Sequence, residues 1–193
     1  MIYPEALNVV QEAFAMLGQS AMPTVVDDEQ ENPTFRDCCR LYNGIRKALL
    51  TAHPWNFATA AKPISGSPAE DGTYLVPIPG DCLQVLRLED EGGREIVRQR
   101  VGKMFRTETL PSRIVYIRDD EAPDEWDPWA RKAFVHRLAA DFSRIVKGSM
   151  QERDLQEHAY ANALAEAKRT NSQEVYATSS RTYADRLING ELN

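Results

Sequence analysis

Hydrophobic positions in the first fifty residues recur at three- and four-residue steps, a spacing that predicts two amphipathic helices. Leu7, Val10, Phe14 and Leu17 share one face of a helix over about 4–17, with Pro4 at its first position and Gly18 as a left-handed cap. After the loop QSAMPTVVDDEQEN, Asn32 and Pro33 read as N-cap and first residue of a second helix over about 33–52. It carries Phe35, Cys38, Leu41, Tyr42, Ile45 and Leu49, and Pro54 ends it by disfavouring helical geometry at His53.

Between about 73 and 118 the period shortens. Residues 74–76, 85–88, 95–99 and 114–117 are β-prone runs, parted by turn chemistry at 77–80, 91–93 and 111–112. Gly92-Gly93 between two such runs is a hairpin signal, and a small antiparallel β-meander is predicted. At Asp127-Pro128 the helical period returns, as N-cap and first residue of a helix over about 128–147 with the stripe Ala130, Phe134, Leu138, Phe142 and Ile145. Lys147-Gly148 closes it. Ser149 and Glu152 have capping-box spacing and open a helix over about 150–170, along Leu155, Ala159, Ala163 and Ala167. Beyond Asn171 the pattern fades, and 172–193 is predicted to be an extended tail, irregular in the free subunit and ordered on a partner. The fold class is therefore α+β, mainly α: about four helices in a bundle with an inserted meander. Residues 1–171 are read as one domain.

Composition narrows the class. The 193 residues are 42% hydrophobic and 27% charged, which suits a folded soluble chain. Twenty-three Lys plus Arg against twenty-nine Asp plus Glu leave a net charge of −6, without the basic footprint of a general nucleic-acid binder. Such a charge still suits a lumen through which DNA slips unheld. No apolar run reaches the roughly 18 residues of a membrane span, and MIYPEALNVV shows no secretory signal. Three cysteines, Cys38 and Cys39 being neighbours, make no disulfide framework and fit a reduced setting.

Candidate chemistry is sparse. Asp119, Asp120, Glu121, Asp124, Glu125 and Asp127 crowd near Trp126 and Trp129. They read either as a glycosidase carboxylate pair or as solvated acids favoured by a helix N-terminus. His53, His136 and His158 lack metal-ligand spacing, and adjacent helical cysteines point about 100° apart. No phosphate-binding glycine loop is present, so no catalytic residue, cofactor or metal is expected. Arginines 94, 98, 100, 106, 113 and 118 give the strand region a basic side, opposed by Glu89, Glu95 and Glu108. That side reads as an exposed sheet face, as a protein interface or as a nucleic-acid face. His53, Pro54, Trp55 and Phe57 read as a structural corner at the end of the second helix.

The run from Leu41 through Asn43-Gly44-Ile45-Arg46 to His53-Pro54-Trp55-Asn56-Phe57-Ala58 resembles the phage tail tubular protein A family. The likeness continues at Pro77-Ile78-Pro79-Gly80-Asp81-Cys82, Val115-Tyr116-Ile117, Trp126-Asp127-Pro128, Arg137-Leu138-Ala139-Ala140, and at Tyr160, Ala163, Ala167 and Lys168. The resemblance implies a virion structural protein, assembled in the host cytoplasm and placed at the head–tail junction. It implies a self-assembled ring, a dodecamer, between portal protein and tail nozzle protein, passing DNA without specific binding and touching no membrane. Within that expectation, Arg98 and Arg100 oppose Asp119, Asp120 and Glu121 across a subunit interface, and Tyr176, Tyr183, Leu187 and Ile188 dock onto the portal. The competing classes are a peptidoglycan-degrading, muramidase-like phage enzyme and a module binding double-stranded DNA.

Overall fold

The computed structural model describes residues 7–19 and 33–188, with side chains as far as Glu174. Pro4, Asn32, the loop 20–32 and the side chains of Tyr176, Tyr183, Leu187 and Ile188 lie outside the described residues. The chain groups into two compact units, Met1–Arg46 with Glu121–Asn193, and Lys47–Asp120. An insertion with its own hydrophobic cluster buries its apolar faces locally, which is enough to make it a separate unit.

The first unit is helical: α1 (Leu7–Met16), most of α2 (Pro33–Thr51), a 3-10 turn (Pro123–Glu125), α3 (Pro128–Val146) and α4 (Met150–Ile188). Gly18 at φ 70° closes α1, its N–H donating to the Ala15 carbonyl at 2.9 Å. Asp127 caps α3 through Oδ1, which accepts from the amides of Trp129 at 2.9 Å and Ala130 at 3.2 Å. Gly148 at φ 61° then turns the chain into α4, where Ser149 Oγ accepts from the Glu152 amide at 3.2 Å. These caps match the sequence signals.

Aromatic contacts hold this core. Phe14 packs on Phe35 and Phe142 with centroids 6.2 and 5.5 Å away, and Phe134 meets Tyr42 at 5.4 Å and Trp126 at 5.2 Å. α3 and α4 form a hairpin, tied by His136 Nδ1 to Gln156 Oε1 at 2.9 Å and by the Arg137 guanidinium 5.6 Å from the Tyr160 ring. The buried line of α4 is Gln156, Ala163, Ala167 and Asn171, whereas Leu155 is 61% exposed, against expectation. Adjacent helical residues lie about 100° apart, so packing on Gln156 turns Leu155 outward. Leu41 is likewise exposed: the buried face of α2 runs through Phe35, Cys38, Tyr42, Arg46 and Leu49.

α4 continues to Ile188, and this corrects both the expected end near 170 and the expected irregular tail from 172. Neither Gly nor Pro occurs between Met150 and Ile188, so nothing interrupts a helix already nucleated on α3.

The second unit holds seven strands in two antiparallel sheets: β1 (Thr59–Pro63), β2 (Ser67–Pro68), β3 (Tyr74–Pro77), β4 (Cys82–Glu89), β5 (Gln99–Val101), β6 (Met104–Thr107) and β7 (Arg113–Arg118). Their orders are β1-β7-β4 and β2-β3-β6-β5, so consecutive strands β3 and β4 belong to different sheets and the pairing is not that of a simple meander. Residues 95–99 were expected to be a strand; only a Glu89–Glu95 bridge forms before β5 begins at Gln99, because the chain is crossing between sheets there. Val76, Leu88, Ile96, Phe105, Ile114 and Tyr116 from both sheets make the core. β1, with only Thr59 β-branched, carries no strand signal in sequence; the edge of β7 recruits it, and its Pro63 is tolerated at a sheet edge.

Candidate functional site

The corner after α2 is built around Trp55. Its indole N–H donates at 2.9 Å to the Leu49 carbonyl, which also accepts from the Ala52 amide at 3.1 Å in the turn that closes the helix. His53 meets the indole edge-on at 4.8 Å and Phe57 stacks on it at 5.8 Å. The Trp55 carbonyl accepts from Thr59 Oγ1 at 2.6 Å, which fixes the entry to β1. His53, Pro54, Trp55 and Phe57 thus shape the backbone at this corner.

A second knot joins Lys62 of β1, Asp81 and Tyr116 of β7. Lys62 Nζ donates to Asp81 Oδ2 at 2.9 Å, and the Tyr116 hydroxyl lies 3.0 and 3.1 Å from the two carboxylate oxygens. The lysine, then the phenol hydrogen bond, holds the Asp81 carboxyl below its ordinary range against opposing desolvation. Burial raises the Tyr116 phenol, so it stays protonated and donates.

Arg98 is anchored inside its own unit. β4 carries bulges between Cys82 and Gln84 and between Val85 and Arg87. Arg98 Nη2 donates at the second bulge, to the carbonyls of Val85 at 3.3 Å and Leu86 at 2.8 Å. Nη1 lies 3.4 Å from Glu95, and the guanidinium stands 5.9 Å from the Phe105 ring centre. Arg100 is exposed, its Nε donating to the Gly102 carbonyl at 3.2 Å. Arg106, Arg113 and Arg118 face Asp71, Glu89 and Asp120. Of the six arginines, Arg94 and Arg100 therefore carry no acidic partner among the described residues.

The acids of 119–127 are mostly occupied. Lys47 Nζ lies 3.0 Å from Asp119, Arg118 Nη2 2.6 Å from the buried Asp120, and Arg46 Nη2 3.7 Å from Glu121. Asp124 takes Asn8 at 2.8 Å and Arg131 at 3.1 Å, while Arg131 also forks onto Glu12 at 2.6 and 2.9 Å. Asp127 is the α3 cap; Glu125 remains exposed. A glycosidase acid needs an apolar pocket around its carboxyl, and these carboxylates sit instead among cations and amide donors. Trp126 is buried, whereas the Trp129 ring lies 4.9 Å from Lys132 Nζ.

Arg46 was not anticipated. It is 1% exposed in the middle of the α2 face, at the i+4 step from Tyr42 and the i−3 step from Leu49 that reads as buried if its charge is ignored. Cys38 and Cys39 are buried, and burial pushes the Cys38 thiol up to about 12. Among the described residues, no cluster of three His, Cys, Asp or Glu could hold a metal ion. The second unit has an open cleft of about 570 Å³ where residues 94–99 leave the first sheet for the second, facing residues 106–109. No protein-family model matches this chain. No curated protein matches it either.

Proposed function

We propose that this chain is a virion structural protein: a head-to-tail adaptor whose copies close a ring between portal and tail nozzle and leave a channel for DNA. One observation carries the reading. Four residues of the resemblance, Trp55, Asp81, Tyr116 and Asp127, are engaged in holding backbone or one another. Such groups support a reading in which the chain acts by shape, since function is argued from the site rather than from the fold. In this reading the helical unit is the adaptor's bundle and the strand unit its insertion. The net charge of −6 favours DNA passage without retention.

A head-to-tail ring needs two different complementary patches per subunit. Asp119 and Asp120 are spent on Lys47 and Arg118, and Arg98 on its own unit. Exposed Arg100, and Glu121, whose side chain stays 42% exposed while one oxygen faces Arg46 at 3.7 Å, are the charges through which copies of the chain meet. The portal arm is the distal part of α4, bearing Tyr176, Tyr183, Leu187 and Ile188 on a helix.

The test mixes the purified chain with the portal ring of the same virion and follows mass and negative-stain images. A ring-shaped complex forming on addition of portal supports the adaptor, and the absence of any association overturns it. Turnover of cell-wall substrate that vanishes on Asp or Glu substitution would establish the wall-cleaving class instead.

A further inference from the structure

We infer that the cleft in the strand unit is a binding site for an oxyanion, a phosphate or carboxylate group on a small ligand. This goes beyond the adaptor reading and does not depend on it. The cleft has a physical origin: the chain is bridged to the first sheet at Glu95 and joins the second only at Gln99, so the two sheets part between those points. Its volume of about 570 Å³ lies within the range of small-molecule sites.

Donors remain unused on its walls. Thr107 is 2% exposed, lines the cleft and has a buried hydroxyl with no hydrogen-bond partner. Arg106, also lining it, gives one terminal nitrogen to Asp71 at 3.2 Å but keeps a buried, unpartnered Nε. The exposed Arg94 guanidinium has no acidic partner among the described residues. Asp90 and Glu95 share the lining but are engaged: Asp90 Oδ1 accepts from the Arg94 amide at 2.9 Å, and Glu95 faces Arg98 at 3.4 Å. Glu108 stands exposed. An unpartnered buried polar group is costly and native folds rarely leave one without reason. Guanidinium nitrogens can only donate, so the missing partner is an acceptor, and a charged oxygen satisfies the set best.

The experiment titrates the full chain, isotopically labelled, with inorganic phosphate and separately with succinate, against sodium chloride of equal ionic strength, and follows amide shifts. Saturable shifts confined to 94–99 and 106–109, at a Kd of roughly 1 mM, are expected. Arg94→Ala should weaken binding about tenfold and Thr107→Val should also weaken it, while the spectrum away from the cleft is unchanged. Saturation by phosphate alone, by succinate alone or by both identifies the group. Unsaturable or scattered shifts with both anions, or affinity unchanged in Arg94→Ala, would overturn the site. Arg94 is exposed, so that variant remains informative if Thr107→Val does not fold. An intact portal complex without anion binding would remove this inference and leave the adaptor reading standing.

Discussion

The indole of Trp55 and the carbonyl of Leu49 meet at 2.9 Å, six residues apart, across the bend where α2 gives way to the strand unit. Trp55→Phe keeps most of the apolar volume but removes one of the two donors to that carbonyl, leaving the Ala52 amide at 3.1 Å, a loss of about 0.5–1.5 kcal/mol. Trp55→Ala adds a cavity and should lose about 3–5 kcal/mol. Urea unfolding of both variants, compared at equal slope, checks the order.

Arg98→Ala removes the donor that bridges the Val85 and Leu86 carbonyls, and should cost about 1–3 kcal/mol. Arg98→Lys should recover little, because a point charge does not reproduce a planar fork. Arg100→Ala should stay within about 0.5 kcal/mol. Equal losses at the two positions in thermal melts would contradict the anchoring role of Arg98.

The Lys62–Asp81–Tyr116 knot predicts a pH dependence. The folded carboxyl of Asp81 titrates below its ordinary 3.8, so its contribution is present above that value and is lost as the pH falls through the lower, folded one. The folded ammonium of Lys62 titrates above its ordinary 10.5, so its contribution is present below that value and is lost as the pH rises through the higher, folded one. Asp81→Asn should flatten the acid limb of the stability curve and change neutral stability modestly, since the pair is partly solvent-screened. Chemical denaturation from pH 2 to 6 reads it.

Burial holds Cys38 at about 12 and half-buried Cys82 at about 11 as thiols. The native protein should react slowly with a thiolate-specific reagent near pH 8, with Cys82 first. All three thiols should react at once in denaturant. Rapid labelling of Cys38 in the native chain would show its helix opening locally.

Much of the helical unit was readable before any coordinates. The Asp127-Pro128 start, the Gly18 and Gly148 stops and the Ser149 cap depend on neighbouring residues alone, and each signal names its backbone geometry. The turn at Gly92-Gly93 was legible for the same reason, although the strand expected after it is reduced to the Glu89–Glu95 bridge. What failed to be legible concerned partners distant in sequence. Leu41 and Leu155 looked like core residues until the facing helices chose Tyr42 and Gln156 instead. For the candidate site, Arg94 and Arg106 stood out only as members of the basic side and Thr107 carried no local mark, since only the parting of two sheets gathers them at one cleft.

The sequence by itself determined where α3 and α4 begin, where α1 and α3 stop, which residues shape the corner at Trp55, and the acidic balance of the chain, because these follow from local sterics, capping and composition. Only the tertiary structure decided that the strands divide into two sheets, that Arg46 is buried, and that Arg98, Asp119 and Asp120 are spent internally. Pairing, burial and charge neutralisation are properties of residues brought together across the chain, and long-range packing alone selects among locally equivalent faces.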